Sequence, residues 1–304
     1  MNVLVTGGAG YIGTGLVKAL AANNEIKKIV VYDNLSRGNR NLFIGEDFFL
    51  NDKVYFVQGD LLDTRKLRNV LSDIDTVYHL AAVVTTPFSD QNPHLFEQVN
   101  HWGTAELVYA IEESSVKQLV YLSSVSVYGT STSQKDIKDE LNPRTFYGIS
   151  KMRGEEHVSR LSEKKQVYIL RCGNVYGYNK SMRFDAVINR FMFEANFNKR
   201  ITINGNGEQH RPFIHVKKVT NVLHALLRSP IGCGIYNLVE HNYAVGEIVQ
   251  ELREIYPGLE MLFVNQHMNM RELKVKGSEQ LEPYFGETKT FMEELLEFKN
   301  AFTF

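Results

Sequence analysis

The sequence predicts an α/β fold: a doubly wound parallel sheet joined to a smaller C-terminal substrate-binding domain. Three observations carry that expectation. Short apolar runs alternate with longer helical stretches from the first residue onward, a glycine-rich turn links the first run to the first helix, and an aspartate closes the second run.

Taken in order, the strand candidates are residues 3–6, 29–33, 54–58, 76–80, 118–123 and 167–171. Each is apolar at nearly every position, as strands covered on both faces of a parallel sheet must be. Helices are expected between them at 11–23, 64–72, 93–114 and 146–163, giving repeated βαβ units with right-handed crossovers. After Cys172 the rhythm weakens. A helix is expected at 185–197, a polar turn at 204–209, strands at 213–216 and 235–239, and helices at 219–228, 246–256 and 288–300. Residues 1–173 with about 213–250 should form the sheet domain, and 174–212 with about 251–304 the smaller one.

The 304-residue chain carries 34 Lys and Arg against 35 Asp and Glu, a formal net charge of -1. That balance offers no basic field to a polyanion, so no nucleic-acid partner is expected. The two cysteines, Cys172 and Cys233, exclude a disulfide framework and suit a reducing cytoplasm. No apolar run approaches the roughly 20 residues that span a bilayer, and the N-terminus lacks the pattern of a signal peptide. Neither a membrane nor a metal is therefore expected, since the nine histidines are scattered without ligand spacing. Cys172 reads as a packed thiol and the single Trp102 as core or interface.

The first strand runs into TGGAGYIG. Gly8, Gly10 and Gly13 fit G-x-G-x-x-G, while Gly7, Gly10 and Gly13 fit the looser G-x-x-G-x-x-G. Glycine serves here because the backbone must turn tightly and approach a pyrophosphate closely. The helix that follows offers free N–H groups and a partial positive charge to the phosphates. An ordinary strand-to-helix turn would look similar, but Asp33 ends the next strand twenty residues after Gly13. A carboxylate there receives the adenosine ribose hydroxyls of NAD and repels a 2′-phosphate. Arg37 could instead meet such a phosphate, so NADP stays open. Asp60, closing the third strand, is placed either at the adenine or as a helix N-cap.

Tyr147 and Lys151 stand at i and i+4 of an expected helix, hence on one face. A free tyrosine, with a pKa of about 10, is a poor base at neutral pH, and a lysine ammonium one turn away, with the positive nicotinamide nearby, favours the phenolate. Lowering it to about 7 takes roughly 4 kcal/mol. Alone, Tyr-x-x-x-Lys is common on solvated helices. Ser123 and Ser124, however, end the fifth strand at the carboxyl edge, where doubly wound folds bind ligands. A serine hydroxyl there can hold a hydroxyl or keto oxygen beside the phenolate while a nicotinamide takes hydride. Ser124, Tyr147 and Lys151 are thus the candidate catalytic set.

With TGGAGYIG, DNLSRG, GDLLD, YHLAA, N-x-x-G-T at 100–104, SSVSVYG, YGISK and RCGNVYG in this order, the chain resembles the extended short-chain dehydrogenases/reductases. It is most similar to their nucleotide-sugar epimerase/dehydratase branch, typified by UDP-glucose 4-epimerases, over roughly residues 1–240. The resemblance implies a Rossmann domain with NAD, a nucleoside-diphosphate sugar in the smaller domain, and a homodimer built through a four-helix bundle. It places Gly7, Gly10 and Gly13 at the pyrophosphate, Asp33 at the ribose, and Asp60 with Leu61 at the adenine. Ala81 falls along the cofactor, Lys151 at the nicotinamide ribose, and Tyr147 is the base. Tyr11, Ile12, Asn34, Arg37, Leu80, Ala82 and Asn100 complete the cofactor set so implied. On the substrate side the resemblance implies Ser124 and Ser126 at the sugar, Asn174 near the diphosphate, and Arg211 and Arg271 gripping it. Arginine suits that task because its planar fork bridges phosphate oxygens.

Three departures narrow the reading. The branch's 4,6-dehydratases carry Thr-Asp-Glu where this chain has Ser124, Val125 and Ser126, so the acid and base for water elimination are missing. Lys217 and Lys218 follow His215 and Val216 where an acid is usual. The stretch 177–191 lacks the usual Gly-Pro and glycine-rich loop, which points to a different sugar pocket. The sequence therefore predicts an NAD-dependent nucleoside-diphosphate-sugar epimerase, acting at C4 through a transient 4-keto sugar. An NAD(P)H-dependent 4-keto-6-deoxy nucleotide-sugar reductase would use the same residues and is the alternative. A non-catalytic NAD(H)-sensing protein is the alternative from another class.

Overall fold

In the computed structural model, which describes residues 1–44, 52–84, 92–228, 231–265 and 270–303, the apolar runs assemble into a seven-stranded parallel sheet. The strands in chain order begin with β1 (Asn2–Thr6), β2 (Lys28–Asp33), β3 (Val54–Gln58), β4 (Thr76–His79), β5 (Gln118–Ser124), β6 (Gln134–Lys135) and β7 (Gln166–Cys172). They continue with β8 (Asn174–Tyr176), β9 (Arg200–Asn204), β10 (His210–His215), β11 (Gly234–Leu238), β12 (His241–Ala244), β13 (Glu260–Val264) and β14 (Lys274–Val275). The helices are α1 (Tyr11–Ala21), α2 (Thr64–Leu71), α3 (Pro93–Phe96), α4 (Gly103–Glu112) and α5 (Phe146–Arg160). After them come α6 (Val187–Phe193), α7 (Val216–Ala225), α8 (Val245–Ile255) and α9 (Phe291–Asn300).

The large sheet has the order β11-β7-β5-β4-β1-β2-β3, and every pairing is parallel. Alternate residues of β1 show how both faces are covered. Val3 and Val5 pack with Leu16, Val17 and Leu20 of α1 and Val219, Val222 and Leu223 of α7. Leu4 points the other way, among Leu67 and Leu71 of α2, Leu107 and Ile111 of α4, and Val158 of α5. Each fully buried Val or Leu contributes about 1.5–3 kcal/mol. Strand order reverses between β1 and β4, and a crevice opens there at the carboxyl ends.

The smaller unit holds a three-stranded sheet, β12-β10-β8, and the pair β13-β9. Its core gathers Ile188, Phe191 and Met192 of α6, Ile201 and Ile203 of β9, Ile248 and Leu252 of α8, and Leu295 and Phe298 of α9. This redraws the expected boundary: of residues 213–250, only α7 and β11 return to the large sheet. β10 pairs with β8 and β12 instead, and α8 buries its apolar stripe in the smaller core. A short apolar run reads the same whichever sheet it joins, which is why its pattern could not assign it.

Helix ends explain where the reactive residues fall. The Thr145 hydroxyl caps α5 by accepting from the Gly148 N–H at 3.0 Å, which sets Tyr147 in the first turn and Lys151 one turn on. Asp63 caps α2 at 3.0 Å, so Asp60 is not the N-cap. By contrast α1 begins after Gly10 with no side-chain cap. The helix expected over 93–114 contains a π segment, Glu97–Trp102, which no periodicity signalled. Lys218, standing where an acid is usual, is buried and ion-paired to Glu240 and, at 2.6 Å, to Glu294. The Tyr176 hydroxyl also donates to Glu294. The charge pattern is thus inverted, with the base on α7 and an acid on α9, whereas Lys217 meets Glu297 at the surface at 3.2 Å.

Candidate active site

A cavity of about 900 Å³ runs along the carboxyl ends of β1 to β5 and β7, faced from the other side by β8, β10 and α6. The glycine turn makes its first wall. Gly7 adopts a φ of 70°, and a Cβ on it would sit 2.6 Å from the Ala81 nitrogen. On Gly13 a Cβ would lie 2.4 Å from the Gly7 carbonyl oxygen. No side chain tolerates either contact, so backbone meets backbone and leaves a bare cradle. Gly10, Tyr11, Ile12 and Gly13 line it at the uncapped start of α1, where orphan N–H groups await an anion.

Asp33 accepts from the Ala9 and Leu35 N–H groups at 3.0 and 2.9 Å, bracing the turn from the tip of β2. Asp60 accepts from the Leu62 N–H and the Asn34 amide, both at 3.0 Å. Leu61, Leu80, Ala81 and Ala82 supply the apolar lining beside them. These residues fit a dinucleotide: a side-chain-free cradle for phosphates, a carboxylate for a ribose and apolar wall for a base. Arg37 lines the same cavity. Burial and then the charge of Arg183 lower its guanidinium pKa, while Asp185 supports it. Asn100, implied at the cofactor, is buried and is not among the residues that line the cavity. Its side chain exchanges two 2.8 Å bonds with the Val83 backbone and donates to the Ser150 hydroxyl at 3.1 Å, and so holds those elements together.

At the reactive end Ser124, Tyr147 and Lys151 line the cavity together. Lys151, only 2% exposed, donates from Nζ to the Leu122 carbonyl at 2.8 Å and lies 4.7 Å from the Tyr121 ring centroid. Burial drives its ammonium down to about 7, opposed first by Glu155. The Tyr147 phenol is pushed up by burial, against a hydrogen bond with Ser124 and the charge of Arg183. Without the positive nicotinamide that the sequence reading sets beside the pair, desolvation of the phenol outweighs these influences. Cys172 is a free, buried thiol pushed up to about 12 by burial, and so unreactive.

On the opposite wall the Asn174 amide donates to the Pro212 carbonyl at 2.9 Å, joining β8 to β10. Arg211 and Arg271 both line the cavity. Burial, and then repulsion from Arg271, bring Arg211 down to about 10, with Glu272 in partial support. A largely desolvated Arg211 with a second cation, the exposed Arg271, close by favours an anion between them. Ser126 accepts from the Ser124 hydroxyl at 3.1 Å.

Among the lining residues that sequence reasoning missed are Arg183 and Gln209. Arg183 forks onto Asp185 at 3.0 and 2.5 Å while its charge reaches Tyr147. Gln209 donates to the Asn204 carbonyl at 3.2 Å, and its Oε1 finds no partner among the described residues. A further set of bonds ties α1 and the stretch after β2 to the loop after β8. The Tyr11 hydroxyl donates to the Gly177 carbonyl, Thr14 donates to Asn179 at 2.9 Å, and the Asn41 amide donates to the Lys180 carbonyl.

Sheet, cradle and tyrosine–lysine face together define a nicotinamide-dinucleotide-dependent enzyme of the extended short-chain dehydrogenase/reductase class. The model described as the NAD dependent epimerase/dehydratase family matches residues 3–238, and the chain belongs to that family. A putative UDP-glucose 4-epimerase of Methanocaldococcus jannaschii is 32% identical over 223 residues, covering 71% of this chain and 70% of the relative. The dTDP-D-glucose 4,6-dehydratase of Homo sapiens is 31% identical over 262 residues, covering 84% and 73%. Among solved structures, UDP-glucuronic acid 4-epimerase from Bacillus cereus, in complex with UDP-glucuronic acid and NAD, superposes with a TM-score of 0.85 at 25% identity, covering 99% and 98%.

Proposed function

We propose that this enzyme is an NAD-dependent nucleoside-diphosphate-sugar 4-epimerase. The observation that carries the reading is Ser124, Tyr147 and Lys151 around one cavity with Val125 and Ser126 where dehydration would need an acid and a base. The acids that do line the cavity are otherwise engaged: Asp33 and Asp60 at the cofactor wall, Asp185 by Arg183.

Gly7, Gly10, Gly13 and the start of α1 would hold the cofactor pyrophosphate, and Asp33 its ribose. NAD, when bound, supplies a reversible hydride acceptor and a positive charge beside Tyr147. Tyr147, as phenolate, takes the proton of the C4 hydroxyl while Ser124 donates to the same oxygen and the Lys151 ammonium steadies the charge. Asn174, Arg211 and Arg271 keep the diphosphate in place as the 4-keto sugar turns about its linkage. Tyr147 then returns the proton, and no net oxidation occurs.

The test is product analysis after incubation with UDP-glucose, UDP-glucuronic acid and dTDP-glucose. One of them should yield its C4 epimer without net change in NADH, whereas net NADPH oxidation on a 4-keto-6-deoxy sugar would overturn the reading. Tyr147→Phe should cut turnover roughly 10²–10⁴-fold and leave NAD retention near wild type. A second copy of the chain is the proposed partner, docking on the face that carries Trp102, 53% exposed, and Tyr109 of α4. Sedimentation equilibrium of the intact chain checks it.

A further inference from the structure

Beneath the cavity floor, a network from β5, β7 and β11 ends on one carboxylate of α5, which β5 and β7 bond directly. Glu155 follows Lys151 by one turn of α5 and is 4% exposed. It accepts from the Ser123 hydroxyl of β5 at 2.5 Å and from Arg171 of β7, at 3.1 Å from Nε and 2.8 Å from Nη2. Arg171 also donates to the Tyr128 hydroxyl at 2.9 Å, which passes the chain on to Asn237 of β11 at 2.7 Å. Ser123 immediately precedes Ser124, and Arg171 immediately precedes Cys172, so the network grips the two strand tips that line the cavity.

Stability alone gives weak grounds for such a pair, since replacing a buried ion pair by apolar groups is often neutral or stabilising. Its place explains it better. The groups around Lys151 are Tyr147 and Glu155 on α5, the Tyr121 ring and Leu122 carbonyl on β5, Cys172 on β7 and His79 on β4. Burial keeps both the Cys172 thiol and the His79 imidazole uncharged. Glu155, ion-paired to Arg171 at 2.8 Å, is the anion among them.

We propose that Glu155 is a positioning residue: pinned by Arg171 and Ser123, its carboxylate keeps Lys151 an ammonium and holds the β5 tip so that Ser124 stays aimed at Tyr147. The inference rests on the reading of Tyr147 and Lys151 as the reactive pair. Burial acts against the Lys151 ammonium, and Glu155 is the first of the opposing influences.

The decisive variant is Glu155→Gln combined with Arg171→Met, which removes both charges and strands neither. It should melt close to wild type. In the NAD-bound protein without sugar, the phenolate absorbance assigned by difference from Tyr147→Phe should fall about tenfold at mildly alkaline pH. The alkaline limb of kcat should move down by about one pH unit, with KM within about twofold. Glu155→Asp, which keeps the charge, should keep the wild-type limb and decides alone if the paired variant does not fold. An unchanged phenolate and limb in the pair, or an Asp variant with a displaced limb, overturns the proposal. Turnover surviving Tyr147→Phe would instead remove the reading on which it rests, so the two failures are distinguishable.

Discussion

The two long walls of the cavity are built from different material. On the cofactor side the working surface is backbone: Gly7 and Gly13 leave no room for a Cβ, and the first turn of α1 has no side-chain cap. On the facing side, the proposed substrate side, it is side chains, with Asn174, Arg211 and Arg271 carried by β8, β10 and the stretch before β14. The first wall fails when an atom is added, the second when a charge is removed. A wall of backbone reads any dinucleotide phosphate alike; a wall of side chains can be re-lettered to suit another sugar.

Four perturbations separate the walls. The largest effect should come from Lys218→Met, which leaves Glu240 and Glu294 buried without their cation where α7 leans on α9. We expect about 3–5 kcal/mol of lost stability in denaturant unfolding; a loss within experimental error would show that the substrate unit does not lean on this contact. Next comes Gly13→Ala, whose new Cβ meets the Gly7 carbonyl oxygen at 2.4 Å. NAD affinity by calorimetry should fall roughly 100-fold, about 2.7 kcal/mol, and normal affinity would refute a backbone-built wall. Arg211→Met should raise KM for the nucleotide sugar about tenfold or more through a lost charge-assisted bond. NAD affinity should be untouched, and a fall in it would mean that the walls are not independent.

The smallest effect is a slope in pH. Burial lowers His79, on the cofactor-side strand β4, to about 3, and His215, on the substrate-side strand β10, to about 4. Both are neutral in the folded protein while their unfolded counterparts bind protons below about 6.5. Their contribution is therefore whole above that pH and is lost as pH falls toward 4, at about 1.4 kcal/mol per pH unit for each. Urea unfolding of His215→Gln should show one share of that slope removed; an unchanged slope would assign the loss to other groups.

Legibility in the sequence divides along the same line. Gly7, Gly13, Asp33 and the Tyr147–Lys151 face are set by short-range rules of turn, strand end and helical spacing, and all of them line the cavity. The substrate wall depends on partners far apart in the chain. Lys218 looked anomalous because its meaning lies in Glu294, on a different helix of a different core. Arg183 and Gln209 carried no periodic or charge signal, and only the packing of α6 and β10 turns them toward the cavity. Asn100 was visible as a motif residue, but its work on Val83 and Ser150 follows from a π segment that apolar spacing does not encode.

The bonds that Tyr11, Thr14 and Asn41 make to residues 177–180 have a mechanical consequence. They stitch α1 and the stretch after β2 to the loop that follows β8, and of these residues only Tyr11 also lines the cavity. The seam that joins the two units is therefore sewn largely from atoms other than those that face a ligand.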